Sequence, residues 1–282
     1  MCLLNKPYVI AEIGINHNGS LDMAKLLIDL AKMNRADAVK FQKRTPELCV
    51  PKDQWNILRD TPFGPGPLKY IDYKRKIEFG KKEFDEIDGY CNIKDINWFA
   101  SVWDKESMKF ISNYDVPFIK IPSACLTDIE LLNEIKEYDY PIIISTGMST
   151  KKHIDYAVKI LNHKIHCIMH CVSSYPTPDN EMNMYKIKHL KEEYPDYMIG
   201  FSNHSMKLIY IAQAYIMGAE FLEFHITIDR SMKGTDHKAS IGPRGFEKIM
   251  RYLDSIYKAW GDGVFNVMDS EKPIIKKLRK YK

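Results

Sequence analysis

Along the chain, short runs of nearly uninterrupted apolar residues alternate with longer stretches whose apolar positions recur every three or four residues. The short runs are YVIAEIG (Tyr8–Gly14), AVKFQ (Ala38–Gln42), NWFASV (Asn97–Val102), FIKIPS (Phe118–Ser123), PIIIST (Pro141–Thr146), HCIMHC (His166–Cys171), MIGFS (Met198–Ser202) and FLEFHI (Phe221–Ile226). Their length and β-branched content predict strands buried on both faces. The longer stretches, among them LDMAKLLIDLAKM, IELLNEIKEY, KHIDYAVKILN and KLIYIAQAYIMGA, carry the helical period. Eight strands alternating with helices predict an α/β fold, a closed (β/α)8 TIM barrel in a single domain. An open doubly wound sheet is the alternative, because periodicity does not reveal closure.

Two segments fall outside the repeat. Residues Lys43–Phe79, with TPFGPGP inside, form an overlong connection after the second strand, of the kind that covers a site or lacks order. A final helix is expected at about Gly245–Trp260, which places the barrel domain at residues 1–262 and leaves residues 263–282 as a linker-like tail.

Composition changes this picture little. In 282 residues, 45% hydrophobic and 28% charged, 41 basic side chains face 37 acidic ones and are spread along the chain, which excludes a nucleic-acid footprint. Only the tail KKLRKYK is a basic block, read as a solvated terminus. No apolar run approaches membrane-spanning length and the start lacks a secretory pattern, so no membrane contact and a cytoplasmic location are expected. The six scattered cysteines suit reduced thiols. HCIMHC is not read as a zinc site, since strand alternation splits its side chains between two faces.

The candidate chemistry collects where each strand ends. Those positions hold Glu12, Asn16 and His17, then Lys40 and Gln42, then Ser101, then Lys120 and Ser123. They continue with Ser145, Thr146, His170, Ser173 and Tyr175, then Ser202 and His204, and finally Glu223 and His225. In a barrel of this kind functional side chains occupy the C-terminal ends of the strands. Two lysines at corresponding strand ends point at one anion, and with serine hydroxyls they suit a phosphate and a carboxylate; phosphoenolpyruvate carries both. His204 and His225 end neighbouring strands and can converge on one metal. Two imidazoles leave coordination positions open, which suits a divalent Lewis acid, Mn2+ ahead of Mg2+ or Co2+, better than structural zinc. His17 and His237 stand open between loop architecture and contact with a sugar, His170 reads as support from inside the barrel, and Trp103 and Asp104 read as helix-start residues, with Asp104 an N-cap.

The stretches IAEIGINHNGS, AVKFQ, EFG, IKIPSA, IISTGMST, HCVSSYPTP, GFSNHS and EFHITIDRSMKGTDHKAS occur in that order across the barrel. In these motifs the sequence resembles the N-acetylneuraminate (sialic acid) synthase family. The resemblance implies a metal-dependent transferase that condenses phosphoenolpyruvate with an N-acetylmannosamine-type aldose, giving a nonulosonic acid and phosphate. By position, His204 and His225 match the family's metal ligands. Lys40, Lys120, Ser123, Ser145 and Ser202 match residues that hold phosphoenolpyruvate, and Glu12, Tyr175 and Asp236 match residues that line the sugar pocket. Lys40, Lys120, His204 and His225 are the expected catalytic set.

Three departures qualify the carry-over. Cys125 stands where many members have a glutamate, and its neutral thiol does not replace a carboxylate. Ser173 stands where an asparagine is typical and keeps one hydrogen-bonding group. The C-terminal antifreeze-like domain of the family is expected to be missing, so the acceptor half of the site is expected to be open and less selective. A homodimer and a separate antifreeze-like domain protein are partners the resemblance leaves open. Condensation with a different or phosphorylated aldose, or a catalytically impaired sugar- or partner-binding barrel, are the alternative readings.

Overall fold

The computed structural model describes residues 4–281, and in it the eight predicted strands close into one parallel barrel. They are β1 (Tyr8–Gly14), β2 (Ala38–Lys43), β3 (Asn97–Val102), β4 (Ile119–Ile121), β5 (Ile142–Ser145), β6 (Ile165–Cys171), β7 (Met198–Asn203) and β8 (Phe221–His225). Each pairs in parallel with the next, and β1 pairs with β8, so the open-sheet alternative falls. The strands are short and Ile/Val-rich because barrel lining and helix contact bury both faces; Ile142, Ile143 and Ile144 are all fully buried.

Helices start where the sequence supplies caps. Ser20, Asp104 and Asp128 each accept a hydrogen bond from a backbone N–H in the first turn of the following helix, and Pro243 opens the last one, Pro243–Ala259. Among the described residues no helix is long and apolar enough to cross a membrane, and residues 261–281 are exposed apart from a partly covered Ile275. Five cysteines are free thiols; Cys2 lies outside the described residues.

The Lys43–Phe79 connection is folded throughout its middle. It contains a short helix (Pro46–Cys49), a two-stranded hairpin (Leu58–Arg59 with Leu68–Lys69) and a helix (Tyr70–Ile77). Tyr73 and Ile77 pack with Ile15 in a small satellite core that binds this insertion to the β1 loop. The hydrophobic residues that looked like loop content are the reason it has structure.

His170 corrects the sequence reading. Met169 and Cys171 face the barrel interior, so by alternation His170 faces the helices, where Nε2 donates to Met182 O at 2.8 Å and the ring lies 5.7 Å from that of Phe201. Burial pushes its pKa down to about 4, and burial likewise pushes His17 down to about 3. Both pKa values lie below that of an unfolded histidine, so the stability they contribute is present above pH 6.5 and is lost as pH falls toward 4 and 3. Replacing His170 by Gln is expected to remove about 2 kcal/mol of the stability difference between pH 8 and pH 5. Urea unfolding at both pH values measures this, and an unchanged difference would show that His170 protonates in the folded protein.

Candidate active site

A cavity of about 200 Å3 opens at the C-terminal end of the barrel. Its floor is a buried cluster of two cations and two anions. Lys40 Nζ lies 2.8 Å from Glu12 Oε2 and 3.7 Å from Glu223 Oε2, while Lys120 Nζ lies 3.0 Å from the same Glu223 oxygen. Ser101 Oγ accepts from Lys40 at 2.8 Å, and Ser202 Oγ donates to Glu223 Oε1 at 2.9 Å. The first pair joins the neighbouring strands β1 and β2, whereas Lys120 with Glu223 joins β4 to β8 and exists only once the barrel has closed.

Burial raises the Glu223 carboxyl, but the ammonium groups of Lys120 and Lys40 overcompensate and hold it at about 2. Glu12 stays above the usual carboxylate range because burial outweighs the attraction of Lys40 and His225. Burial lowers Lys40, and Glu12 with Glu223 reverses the effect, so it remains charged. The formal charges of the four groups sum to zero. An anion entering the cavity therefore meets two lysines already neutralised, and its charge must be matched by something else.

Two imidazoles stand at the rim. His204 is turned by Val172, whose carbonyl accepts from Nδ1 at 2.5 Å. That leaves Nε2 as the acceptor facing the cavity, 2.9 Å from the Tyr175 hydroxyl and 3.4 Å from Ser202 Oγ. Burial first, then His225, push His204 down to about 4, so the ring is neutral at pH 7. The His225 ring lies 5.7 Å from it, centroid to centroid, and the buried His225 Nδ1 has no hydrogen-bond partner, Asp236 Oδ2 being 3.7 Å away. A neutral ring whose tautomer is fixed by a backbone carbonyl, as His204 is, is what a metal ligand needs. Among the described residues no group of three or more His, Cys, Asp or Glu side chains could hold a metal ion, so this pair would leave most coordination positions to water and substrate.

Of the residues expected to be catalytic, metal-binding or substrate-binding, all but Asp236 line this cavity, whereas the strand-end candidates Asn16, His17, Thr146 and His170 do not. Asp236 lines an adjoining cleft of about 260 Å3, with Tyr175, Gln42 and Trp103 shared between the two spaces. Trp103, which directly precedes the N-cap Asp104 and so enters the helix as expected, is also a wall of the site. The serines are set by close backbone approach: a Cβ on Gly147 would sit 2.2 Å from Ser173 Oγ, and Gly147 N donates to Ser123 Oγ at 3.1 Å. Gly200 leaves room for Met169, whose sulfur accepts from Lys120 at 2.9 Å.

Other candidates are placed elsewhere. His17 stacks on Phe79 with ring centroids 3.9 Å apart and accepts from Gly19 N, so it braces the β1 loop. His237 bridges Thr227 Oγ1 and Asn18 Nδ2 at 2.7 and 3.2 Å, which ties loops together. Cys125 is buried with its thiol 3.6 Å from Trp103 O, and burial pushes its pKa up to about 12, so it carries no charge at neutral pH. Glu223 and Gln42 were visible as polar strand-end residues, yet their partnerships were not. Gln42 Nε2 donates to Glu12 Oε1 at 3.0 Å, and its own oxygen accepts from Arg44.

The profile of the NeuB family matches residues 27–265. The N-acetylneuraminate-9-phosphate synthase of Drosophila melanogaster is 33% identical over 88% of this chain and 67% of its own length. The N,N'-diacetyllegionaminic acid synthase of Campylobacter jejuni is 31% identical over 98% of this chain and 84% of its own. Among solved structures, the N-acetylneuraminic acid synthetase of Leptospira borgpetersenii serovar Hardjo-bovis, in complex with citrate, superposes with a TM-score of 0.82 and 30% identity, covering 98% of this chain and 94% of that one.

Proposed function

This chain belongs to the NeuB family, and from that premise we propose that it joins phosphoenolpyruvate to an N-acetylmannosamine-type aldose, releasing phosphate and a nonulosonic acid. The observation that carries the reading is the buried Lys40–Glu12–Glu223–Lys120 cluster under a serine-lined cavity with the His204 and His225 imidazoles at its rim. Lys40 and Lys120 hold the phosphate and carboxylate ends of phosphoenolpyruvate. Ser123, Ser145, Ser173 and Ser202 supply hydroxyls around the same anion. Glu12, Tyr175 and Asp236 receive the hydroxyls of the open-chain sugar.

His204 and His225 would hold a divalent cation, Mn2+ by preference, which when bound polarises the aldehyde oxygen and supplies positive charge that the neutral four-residue cluster lacks. The chain's own part is positional: it brings the enol carbon and the aldehyde carbon together and admits the one water that the balance requires. Phosphoenolpyruvate, aldose and water give the sugar acid and phosphate, with the carbon–oxygen bond at C2 broken as phosphate leaves. Cys125 takes no part, since its thiol is directed to Trp103 O. An inactive sugar-binding barrel has less use than an anion-binding enzyme for two lysines at the floor of a serine-lined cavity, even though Glu12 and Glu223 offset their desolvation.

Alanine at Lys40 or at Lys120 is expected to weaken phosphoenolpyruvate binding about tenfold or more, the worth of a charge-assisted hydrogen bond. Calorimetric titration tests the anion assignment, and parental affinity in both variants would remove it. Phosphate release across a panel of aldoses with added Mn2+, with mass analysis of the product, tests the reaction itself; no aldose-dependent release would overturn it.

A further inference from the structure

One loop holds both ring nitrogens of His204. In the stretch that follows β6, the Val172 carbonyl accepts from His204 Nδ1 at 2.5 Å, and three residues later the Tyr175 hydroxyl lies 2.9 Å from Nε2. The first bond fixes the sense of the second. With its proton on Nδ1, the neutral ring has a single lone pair, on Nε2, and the phenol donates to it. Ser202 is no rival donor, because its hydroxyl is 3.4 Å away and gives its proton to Glu223 Oε1 at 2.9 Å. The Tyr175 ring packs on both imidazoles, 4.2 Å from the His204 ring and edge-on to His225 at 5.6 Å. His225 differs, in that its buried Nδ1 has no hydrogen-bond partner.

One lone pair serves one partner. A hydrogen bond to Nε2 and coordination through it exclude each other, so the atom that the reading above gives to the cation is already engaged by a side chain of the protein. We infer that Tyr175 is a competitive cover on the metal position of His204, which it yields more readily when its hydroxyl gains another acceptor from the sugar. This rests on His204 and His225 holding the divalent cation, as proposed above. The geometry provides the exit. Tyr175 borders both the cavity and the adjoining cleft and is 47% exposed, so its side chain can turn toward the cleft without disturbing the packed core. On that side Asp236 and the hydroxyls of the acceptor sugar are the partners available to it. Cation and acceptor then favour each other, since each removes a cost from the other's binding and such coupling is reciprocal.

Electron paramagnetic resonance of free Mn2+, during titration of the full chain without phosphoenolpyruvate, gives the affinity. Tyr175→Phe is expected to bind Mn2+ about fivefold more tightly than the parent, the net worth of one neutral hydrogen bond. In a His204→Ala background the same change is expected to bring no gain, because the atom it uncovers is gone. N-acetylmannosamine is expected to tighten Mn2+ binding by the parent more than by Tyr175→Phe. Equal affinity of parent and Tyr175→Phe, an equal gain in the His204→Ala background, or equal tightening by the sugar overturns the cover while leaving the metal pair intact. If His204→Ala binds Mn2+ as the parent does, the ion lies elsewhere, and the metal reading fails and takes the cover with it. A thermal melt reports folding, and Tyr175→Leu, which also lacks the hydroxyl, replaces the Phe variant if that one unfolds. Mn2+ affinity that is independent of the sugar in the parent overturns the proposal without recourse to any variant.

Discussion

Alanine in place of His204 or His225 is expected to lower kcat by at least about a thousandfold while leaving the barrel folded. The magnitude follows from the role proposed for the pair: a cation held by His204 and His225 would supply several kcal/mol of charge stabilisation, and each 1.36 kcal/mol is a factor of ten. The barrel should survive because both rings sit at the rim, above the apolar core formed by residues such as Phe99, Phe224 and Ile143. Removing the His204 ring, neutral at pH 7, leaves no uncompensated charge. The distinguishing measurement is metal content after equilibration with Mn2+ and gel filtration, taken together with kcat and a thermal melt. The parent should retain about one equivalent and each variant much less. Equal metal content in parent and variants would place the ion elsewhere and reduce the two histidines to sugar contacts.

How far these residues could be read from sequence depends on whether their partners are local. The strands were legible because a barrel strand buries both faces and is therefore a continuous apolar run, bounded by caps such as Asp104 and Asp128. The mouth of the barrel was legible for the same reason: any polar residue at the end of such a run is out of character, which exposed Lys40, Lys120, His204 and His225. Facing direction is also sequence information, yet reading His170 as support from inside the barrel overlooked the alternation along β6 that sets it opposite Met169. The insertion was not legible. Its Gly/Pro run reads as loop, and the packing of Tyr73 and Ile77 against Ile15 of the β1 loop is a contact that no local pattern encodes. Nor could sequence pair Lys120 with Glu223, since nothing local sets a lysine on β4 against a carboxylate on β8.

That last pair carries the largest expected effect on stability. Glu223→Gln is expected to destabilise the ligand-free protein by about 3–5 kcal/mol, the usual cost of removing one partner from a buried ion pair. Both partners are shut away from water, with side-chain exposures of 1% for Lys120 and 5% for Glu223. After the substitution Lys120 would retain only the Met169 sulfur and a neutral amide, whereas Lys40 would keep Glu12 at 2.8 Å. The loss therefore falls mainly on Lys120. The same change leaves the cluster with a net positive charge, so an incoming phosphoenolpyruvate meets an unneutralised lysine. Added phosphoenolpyruvate should accordingly raise the stability of Glu223→Gln by more than it raises that of the parent, even if turnover is lost with the misplaced lysine. Urea unfolding of both proteins with and without phosphoenolpyruvate reads the two effects separately. A variant as stable as the parent without ligand would show that Lys120 finds water or sheds its proton. A smaller ligand effect in the variant would show that Glu223 helps to position the anion rather than competing with it for the lysines.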